Sequence, residues 1–170
     1  DIDVKSLVEG QDSSFVYGDM TSVSVSPDGT RLAVALQAEG YADSGRAAIF
    51  GCSSDGSLTL RGIVETGVQP DMIVFATNQT VLTADEGEPR EGYGEGTVDP
   101  RGSVTVIDAD QLTGTVTGFD AFDSEEQRAA LVSSGVVLKK GTSPSVDLEP
   151  EYIAVSDGKA YVTLQEANAI

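Results

Sequence analysis

The stretch Ser22-Val23-Ser24-Val25-Ser26-Pro27-Asp28-Gly29-Thr30-Arg31-Leu32-Ala33-Val34-Ala35-Leu36 decides the fold of this 170-residue chain. It begins with a run in which apolar and polar residues alternate, turns at Pro-Asp-Gly, and resumes as a second apolar run. Two short β-rich runs on either side of an Asp-Gly turn are a strong signal for a hairpin. The stretch therefore predicts two adjacent antiparallel strands.

The same plan recurs twice further along the chain. Residues 72–84 repeat it around Asn78-Gln79, and residues 152–164 repeat it around Asp157-Gly158. A second pair of runs, within residues 46–64, follows the first hairpin before the next copy begins. Four strands in about 50 residues is the size of one blade of a β-propeller. The repeat therefore predicts a meander of four-stranded blades.

The second unit is longer than the first and contains a helix signal. Residues 103–108 and 114–119 predict its third and fourth strands, and Ser124-Glu125-Glu126-Gln127 is a capping box that predicts a helix near 124–134. We expect an all-β fold, a β-propeller fragment of about two and a half four-stranded antiparallel blades with one short inserted helix. The predicted segments are an N-terminal stretch (1–20), a first blade (21–66), a second blade (67–123), a helical insertion with linker (124–146) and the start of a third blade (147–170). Because a fragment exposes strand edges, we expect the remaining propeller blades or a second chain to complete it.

The composition excludes several kinds of chemistry. The chain has 28 Asp and Glu against 10 Lys and Arg, a formal net charge of −18, so nucleic acid and anionic membrane surfaces are not expected partners. It has no histidine and a single cysteine, Cys52, which excludes Ser-His-Asp or Cys-His catalysis, His-containing zinc sites and an internal disulfide. No apolar run approaches the roughly 18 residues of a membrane span, so we expect no transmembrane segment.

Several motifs resemble those of one known family. They are residues 66–72, 83–89, 98–104, 147–155 and 161–170. In these motifs the chain resembles the choice-of-anchor I β-propeller family, which includes mesenchyme-specific cell-surface glycoproteins and bacterial alkaline-phosphatase-like proteins. The resemblance covers about Thr21–Ile170. It implies a propeller longer than this chain, secreted or held at the cell surface with its signal peptide outside this sequence, and it implies no catalytic residue.

The predicted topology brings acidic residues together. Connections in a meander alternate between two faces, so the Asp-Gly hairpins lie on one face and the other ends of the same strands on the opposite face. That opposite face receives the acids that follow β-rich runs, and the loop 85–99 adds six carboxylates with one arginine. Calcium takes six to eight oxygens from carboxylates and carbonyls. The pattern predicts a calcium site whose candidate ligands are Asp85, Glu86, Glu88, Asp99, Glu151 and Glu166; a solvated acidic loop is the alternative.

Two functions are compatible with these residues. The first is a secreted or cell-surface binding or scaffold propeller with calcium at the mouth of its channel and a cell-surface protein or carbohydrate as partner. Tyr41 and Tyr93 are candidates for stacking on a sugar. The second is a calcium-dependent phosphoester hydrolase of the alkaline-phosphatase or phytase kind, in which metal ions hold a phosphate and activate water. It needs basic groups for the phosphate, and the expected face offers Arg46, Arg90 and Arg101.

Overall fold

The chain forms two four-stranded antiparallel sheets and one two-stranded hairpin, with the strands in chain order within each sheet. A computed structural model describes residues 2–170; Asp1, the first residue of the predicted stretch 1–20, lies outside the described residues. The strands are β1 (Tyr17–Val25), β2 (Arg31–Ala38), β3 (Ser44–Cys52) and β4 (Leu58–Val68) in the first sheet, β5 (Pro70–Phe75), β6 (Thr80–Asp85), β7 (Ser103–Asp108) and β8 (Thr113–Gly118) in the second, and β9 (Tyr152–Ser156) and β10 (Lys159–Thr163) in the third. This arrangement confirms the expected all-β fold of four-stranded antiparallel units.

Turn chemistry explains why the hairpins form at these positions. In the third sheet Ser156 pairs with Lys159, which leaves a two-residue turn at Asp157 and Gly158. Both turn residues have positive φ, 50° and 71°, as a type I′ turn requires. In the first hairpin the Asp28 carboxylate accepts hydrogen bonds from the backbone N–H and the hydroxyl of Thr30, which closes the turn from within.

Apolar side chains hold the successive sheets against one another. Between the first and second sheets, small residues of β2 and β3 such as Ala33 and Ala47 face the bulky Ile73, Phe75 and Ile107. Small residues on one side permit the close approach that buries the large residues on the other. A smaller cluster, formed by Leu82, Ala84 and Ile153, joins the second and third sheets.

Polar contacts join the first two sheets at the end of the strands where the hairpin turns lie. The backbone N–H of Asp28 donates to Asn78 Oδ1 at 3.0 Å. Arg31 donates to the carbonyl oxygen of Asn78 at 2.8 Å and pairs with Asp110. The turns at 28–29 and 78–79 therefore lie side by side, as the meander requires.

Three helices accompany the sheets. The predicted helix is confirmed as α2 (Glu125–Ser133), whose first turn is capped by the Ser124 hydroxyl. Two further helices, α1 (Val4–Gln11) and the single-turn α3 (Pro144–Asp147), and a short 3-10 turn at Asp120–Phe122 were not predicted. Within residues 2–170, no helix has the length and apolar character needed to cross a membrane.

Helix α1 covers the face of the first sheet that points away from the second sheet. Its N-terminus is capped by Asp3, whose carboxylate accepts from the backbone N–H of Ser6 at 3.0 Å. Val8 of the helix and Phe15 of the following turn are buried in one cluster with Leu36 and Phe50. Both faces of the first sheet are therefore packed, one against α1 and the other against the second sheet.

Candidate functional site

Asp85, the last residue of β6, lies in a cradle of hydroxyl groups. Its Oδ1 accepts from Thr83 at 2.7 Å, and its Oδ2 accepts from Ser103 at 2.9 Å and from Thr105 at 2.6 Å. Burial raises the pKa of Asp85 to about 6, although the hydroxyl donors oppose that rise. A Cβ at Gly67 would lie 2.0 Å from the Ser103 hydroxyl, so only glycine fits beside the cradle. Both carboxylate oxygens of this predicted ligand are occupied by hydroxyl donors of its own sheet.

Glu86 stands at the centre of a group of carboxylates. Burial raises its pKa most, and together with the negative charges of its neighbours it brings that pKa to about 8. These neighbours, the largest effect first, are Glu88, Asp71, Glu151 and Glu149. The amide nitrogen of Gln69 donates to Glu86 Oε2 at 3.0 Å and to Glu88 Oε1 at 3.4 Å. The electrostatic field at Glu86 therefore comes from acids of both the second and the third sheets.

The third sheet supplies a second half-buried acid, Glu151. Burial raises its pKa most, and together with a hydrogen bond with Glu166 and the charges of Glu166, Asp71 and Glu149 it brings that pKa to about 7. The Gln165 amide donates a hydrogen bond to Glu151 Oε2. The structure thus brings four of the six predicted ligands into one electrostatic group, namely Glu86, Glu88, Glu151 and Glu166, and adds Asp71 and Glu149 to it.

Asp99 lies beside a different cluster, built around the ammonium group of Lys139. That nitrogen is 3.3 Å from Asp147 Oδ1, 3.3 Å from Glu149 Oε1 and 3.4 Å from the centre of the Tyr93 ring. The side chains of Asp147 and Glu149 are each only 2% exposed. Burial raises the pKa of Asp99, while the Lys139 charge lowers it. Lys139 therefore neutralises the acids on this side, including Glu149, which is the member shared with the group around Glu86 and Glu151.

The donor set around Glu86 fits a hard cation in its chemistry. It offers carboxylate oxygens and the side-chain amide of Gln69, the ligands that calcium takes. Two oxygens in this region, Gln69 Oε1 and Glu151 Oε1, are buried without a hydrogen-bond donor. Within the described part of the chain, no three acidic or cysteine side chains already surround a common point at metal-binding distance. Cation binding would therefore require the carboxylates to close in.

Sequence reasoning missed three residues that organise this region: Gln69, Lys139 and Asp147. Gln69 falls inside the first of the family-like motifs, but an isolated glutamine carries no metal-ligand spacing. Lys139 belongs to the segment predicted as a helical insertion with linker (124–146), and Asp147 is the first residue of the predicted third blade; only the folded chain brings them together beside Tyr93. Of the arginines expected on this face, Arg46 pairs with Asp12 at 3.0 Å and Arg101 pairs with Asp120. Arg90 donates to the Ala38 carbonyl oxygen at 2.8 Å, while its Nε and Nη2 are buried without an acceptor.

An apolar groove of about 540 Å³ is bordered by residues of β10. Phe119 and Leu131 form one wall, and Val162 and Leu164 form the other. β10 is the edge strand of the third sheet, and Ala169 already folds back to pair with Leu164.

Comparisons with known proteins agree with the fold. The crystal structure of a Bacteroides fragilis protein assigned as a 6-phosphogluconolactonase is similar to this chain with a TM-score of 0.51 and 16% sequence identity. The similarity covers 84% of this chain and 34% of that protein, so the chain spans about a third of its length. At this identity the likeness shows the fold alone. Among proteins with curated descriptions, none matches this sequence. The model of the choice-of-anchor I domain matches residues 3–170, nearly the whole sequence, and the chain therefore belongs to the choice-of-anchor I domain family.

Proposed function

We propose that this domain is an extracellular or cell-surface binding module that holds a calcium ion on the face opposite the Asp-Gly hairpins. Its ligands come from Glu86 and Glu88, which follow β6 of the second sheet, and from Glu151 and Glu166, which precede β9 and follow β10 of the third. Family membership supports a role at the cell surface, since choice-of-anchor domains are associated with cell-surface proteins. Asp85 is not among these ligands, because hydroxyl groups of its own sheet already occupy both of its carboxylate oxygens.

One observation carries this proposal: Glu86 is half-buried among like charges. Acids so placed hold protons near neutral pH, because burial and repulsion both disfavour the ionised form. A divalent cation reverses that balance by supplying the positive charge. Calcium suits the place better than magnesium, which demands near-ideal octahedral geometry and keeps several waters.

A thermal-unfolding experiment tests the proposal. We expect calcium to raise the melting temperature, because a ligand that binds only the folded state stabilises it, by about 2.7 kcal/mol at a hundred times its Kd. The double variant Glu86→Gln, Glu151→Gln should lose this shift. The matched control is Glu125→Gln, Glu126→Gln, which removes the same charge from exposed positions of α2. No calcium-dependent shift in the wild type, or an equal shift in the site variant, would contradict the calcium site.

Binding fits the contacts better than phosphoester hydrolysis does. A hydrolase needs cationic side chains that face a metal-held phosphate. Arg90 lies over the ring of Tyr41 with its guanidinium carbon 5.3 Å from the ring centre, and Lys139 is held by two buried carboxylates. Both cations are held by contacts within the protein, so we propose a binding role rather than catalysis.

We also propose that the open edge of β10 pairs with a further strand of the same propeller. The first two sheets each have four strands and the third has two, while the solved propeller is about three times as long as the region matched here. Hydrogen exchange would test this: the outward-facing amides of β10 should be protected in a protein extended beyond Ile170 and unprotected in this chain alone. Equal protection in both, together with a dimeric mass for this chain, would indicate a second copy instead.

A further inference from the structure

Gln69 occupies an unusual position in the backbone. It is the single residue between β4 of the first sheet and β5 of the second, and its φ is 56°. A residue with a side chain rarely adopts this left-handed conformation, and such strain persists only where the surroundings impose it. The carbonyl oxygen of Gln69 accepts from the backbone N–H of Glu86 at 2.9 Å. The junction of two sheets thus holds Gln69 in place beside Glu86.

The side chain of Gln69 is buried, yet its hydrogen bonds are incomplete. The residue is 3% exposed. Its Nε2 donates to Glu86 Oε2 and to Glu88 Oε1, at 3.0 and 3.4 Å, while its Oε1 is buried with no donor. Leaving a buried acceptor without a donor costs about 1–3 kcal/mol. In this arrangement the amide oxygen therefore lacks a donor, while the N–H groups of the same amide lie between two carboxylates.

The position of Nε2 marks where positive charge is needed. Two acids from the same loop converge on it, and the partial positive charge of an N–H group satisfies them only in part. Rotation of the terminal amide by half a turn exchanges Oε1 and Nε2, and this torsion is broad and low in energy. Without a cation the rotated amide would point its oxygen at two carboxylates. With a cation between them, the same oxygen becomes a neutral ligand of the kind that calcium takes.

We propose that Gln69 is a calcium ligand that switches by rotation of its amide. In the cation-free protein its N–H groups bridge Glu86 and Glu88; in the bound protein its Oε1 joins the same two carboxylates on the ion. The inference rests on the proposed calcium site, which it deepens by adding a ligand from the junction between the sheets.

Calorimetric titration with calcium chloride tests the role of Gln69 in the protein that carries this domain. Gln69→Met keeps the length of the side chain but has no ligand oxygen, and we expect calcium affinity to fall by about tenfold or more. Gln69→Glu restores an oxygen ligand, so its affinity should equal or exceed that of the wild type. The matched control is Gln79→Met, which removes an amide that donates to Asp110 at the opposite end of the strands, where the hairpin turns lie. This variant should bind calcium as the wild type does. In the wild type, the side-chain amide resonances of Gln69 should shift on addition of calcium.

The outcomes separate this inference from the proposed function. If the wild type binds calcium and Gln69→Met binds equally well, the role of Gln69 is wrong and the calcium site stands. If Gln69→Met and Gln69→Glu are weakened equally, Gln69 acts only as an N–H donor, and the switch is again wrong. If the wild type binds no calcium, the proposed function fails and the inference fails with it. Should Gln69→Met not fold, Gln69→Asn replaces it: asparagine tolerates the left-handed backbone, its oxygen lies one methylene short, and wild-type affinity in that variant would overturn the inference.

Discussion

Replacing Asp85 by asparagine should change how the stability of the fold depends on pH. The carboxylate of Asp85 is completely buried and accepts hydrogen bonds from Thr83, Ser103 and Thr105. Asparagine has nearly the same shape, keeps one oxygen acceptor, and can donate to hydroxyl oxygens through its amide nitrogen. Asp85→Asn therefore removes the ionisation of this site while largely keeping its packing.

The magnitude follows from the pKa of Asp85 in the folded protein. Burial raises that pKa from an ordinary 3.8 to about 6, so between these values the folded state binds more protons than the unfolded state. Stability contributed by this group is therefore lost as pH rises from about 4 to about 6, and the loss is constant above that. Since one unit of pKa is worth about 1.4 kcal/mol, the full loss in the wild type is about 3 kcal/mol.

Urea unfolding at pH 4 and pH 7, with chelator present throughout, measures this effect. The free energy of unfolding of Asp85→Asn, relative to the wild type, should increase by about 2–3 kcal/mol between the two pH values. Asp108→Asn is the control, because backbone N–H groups of Gln111 and Asp110 lower the pKa of Asp108 at the protein surface. Its difference from the wild type should move in the opposite direction. A relative stability of Asp85→Asn that is the same at both pH values would refute the reasoning.

Three further changes should alter stability in ways that the packing determines. Leu36→Ala removes a fully buried side chain under α1 and should cost about 2–5 kcal/mol in urea unfolding, whereas Val23→Ala, at a 59% exposed position of the same sheet, should cost far less. Gly102→Ala would place a Cβ 2.1 Å from a backbone carbonyl oxygen and should lower stability by about 3 kcal/mol, measured by the same assay. Lys139→Met leaves two buried carboxylates without their cation and should lower the melting temperature more at pH 8 than at pH 5, because burial raises the pKa of Glu149 and its protonated form needs no cation.

The strands could be predicted because their signals are local. An alternating run, an Asp-Gly or Asn turn and a second run identify a hairpin without knowledge of the rest of the chain, and α2 has its capping box at Ser124. Helix α1 has an N-cap residue, Asp3, but Ser6 stands where a glutamate or glutamine would complete a capping box. The helix is short, contains Gly10 and owes its place to Val8, whose burial depends on the sheet beneath it. Its stability comes from tertiary packing, which a local sequence pattern does not reveal.

The sequence predicts which face of the sheets carries the acidic residues of the candidate site, but it does not predict the role of each residue. The meander argument brings Glu86 and Glu151 to the same side, and the effect of the Glu151 charge on the pKa of Glu86 agrees with it. The environment of Asp85 depends on hydroxyls from β7, which pairs with β6 only after the long acidic loop has closed. The role of Gln69 is indicated only by its positive φ and by the missing hydrogen-bond donor at its Oε1. Such features arise from contacts across sheets.

The packing of α1 on the first sheet has a consequence for the order of events during synthesis. Residues 4–68 contain α1 and all four strands of that sheet, and they leave the ribosome before any strand of the second sheet does. One face of this unit is already sealed by Val8 and Phe15, so only its other face remains to receive β5 to β8. Domains and their parts tend to fold in the order of synthesis, and exposed apolar surface at this stage favours aggregation. Helix α1 therefore covers one face of the first sheet from the time that sheet forms. The second sheet then packs on the opposite face as it is synthesised.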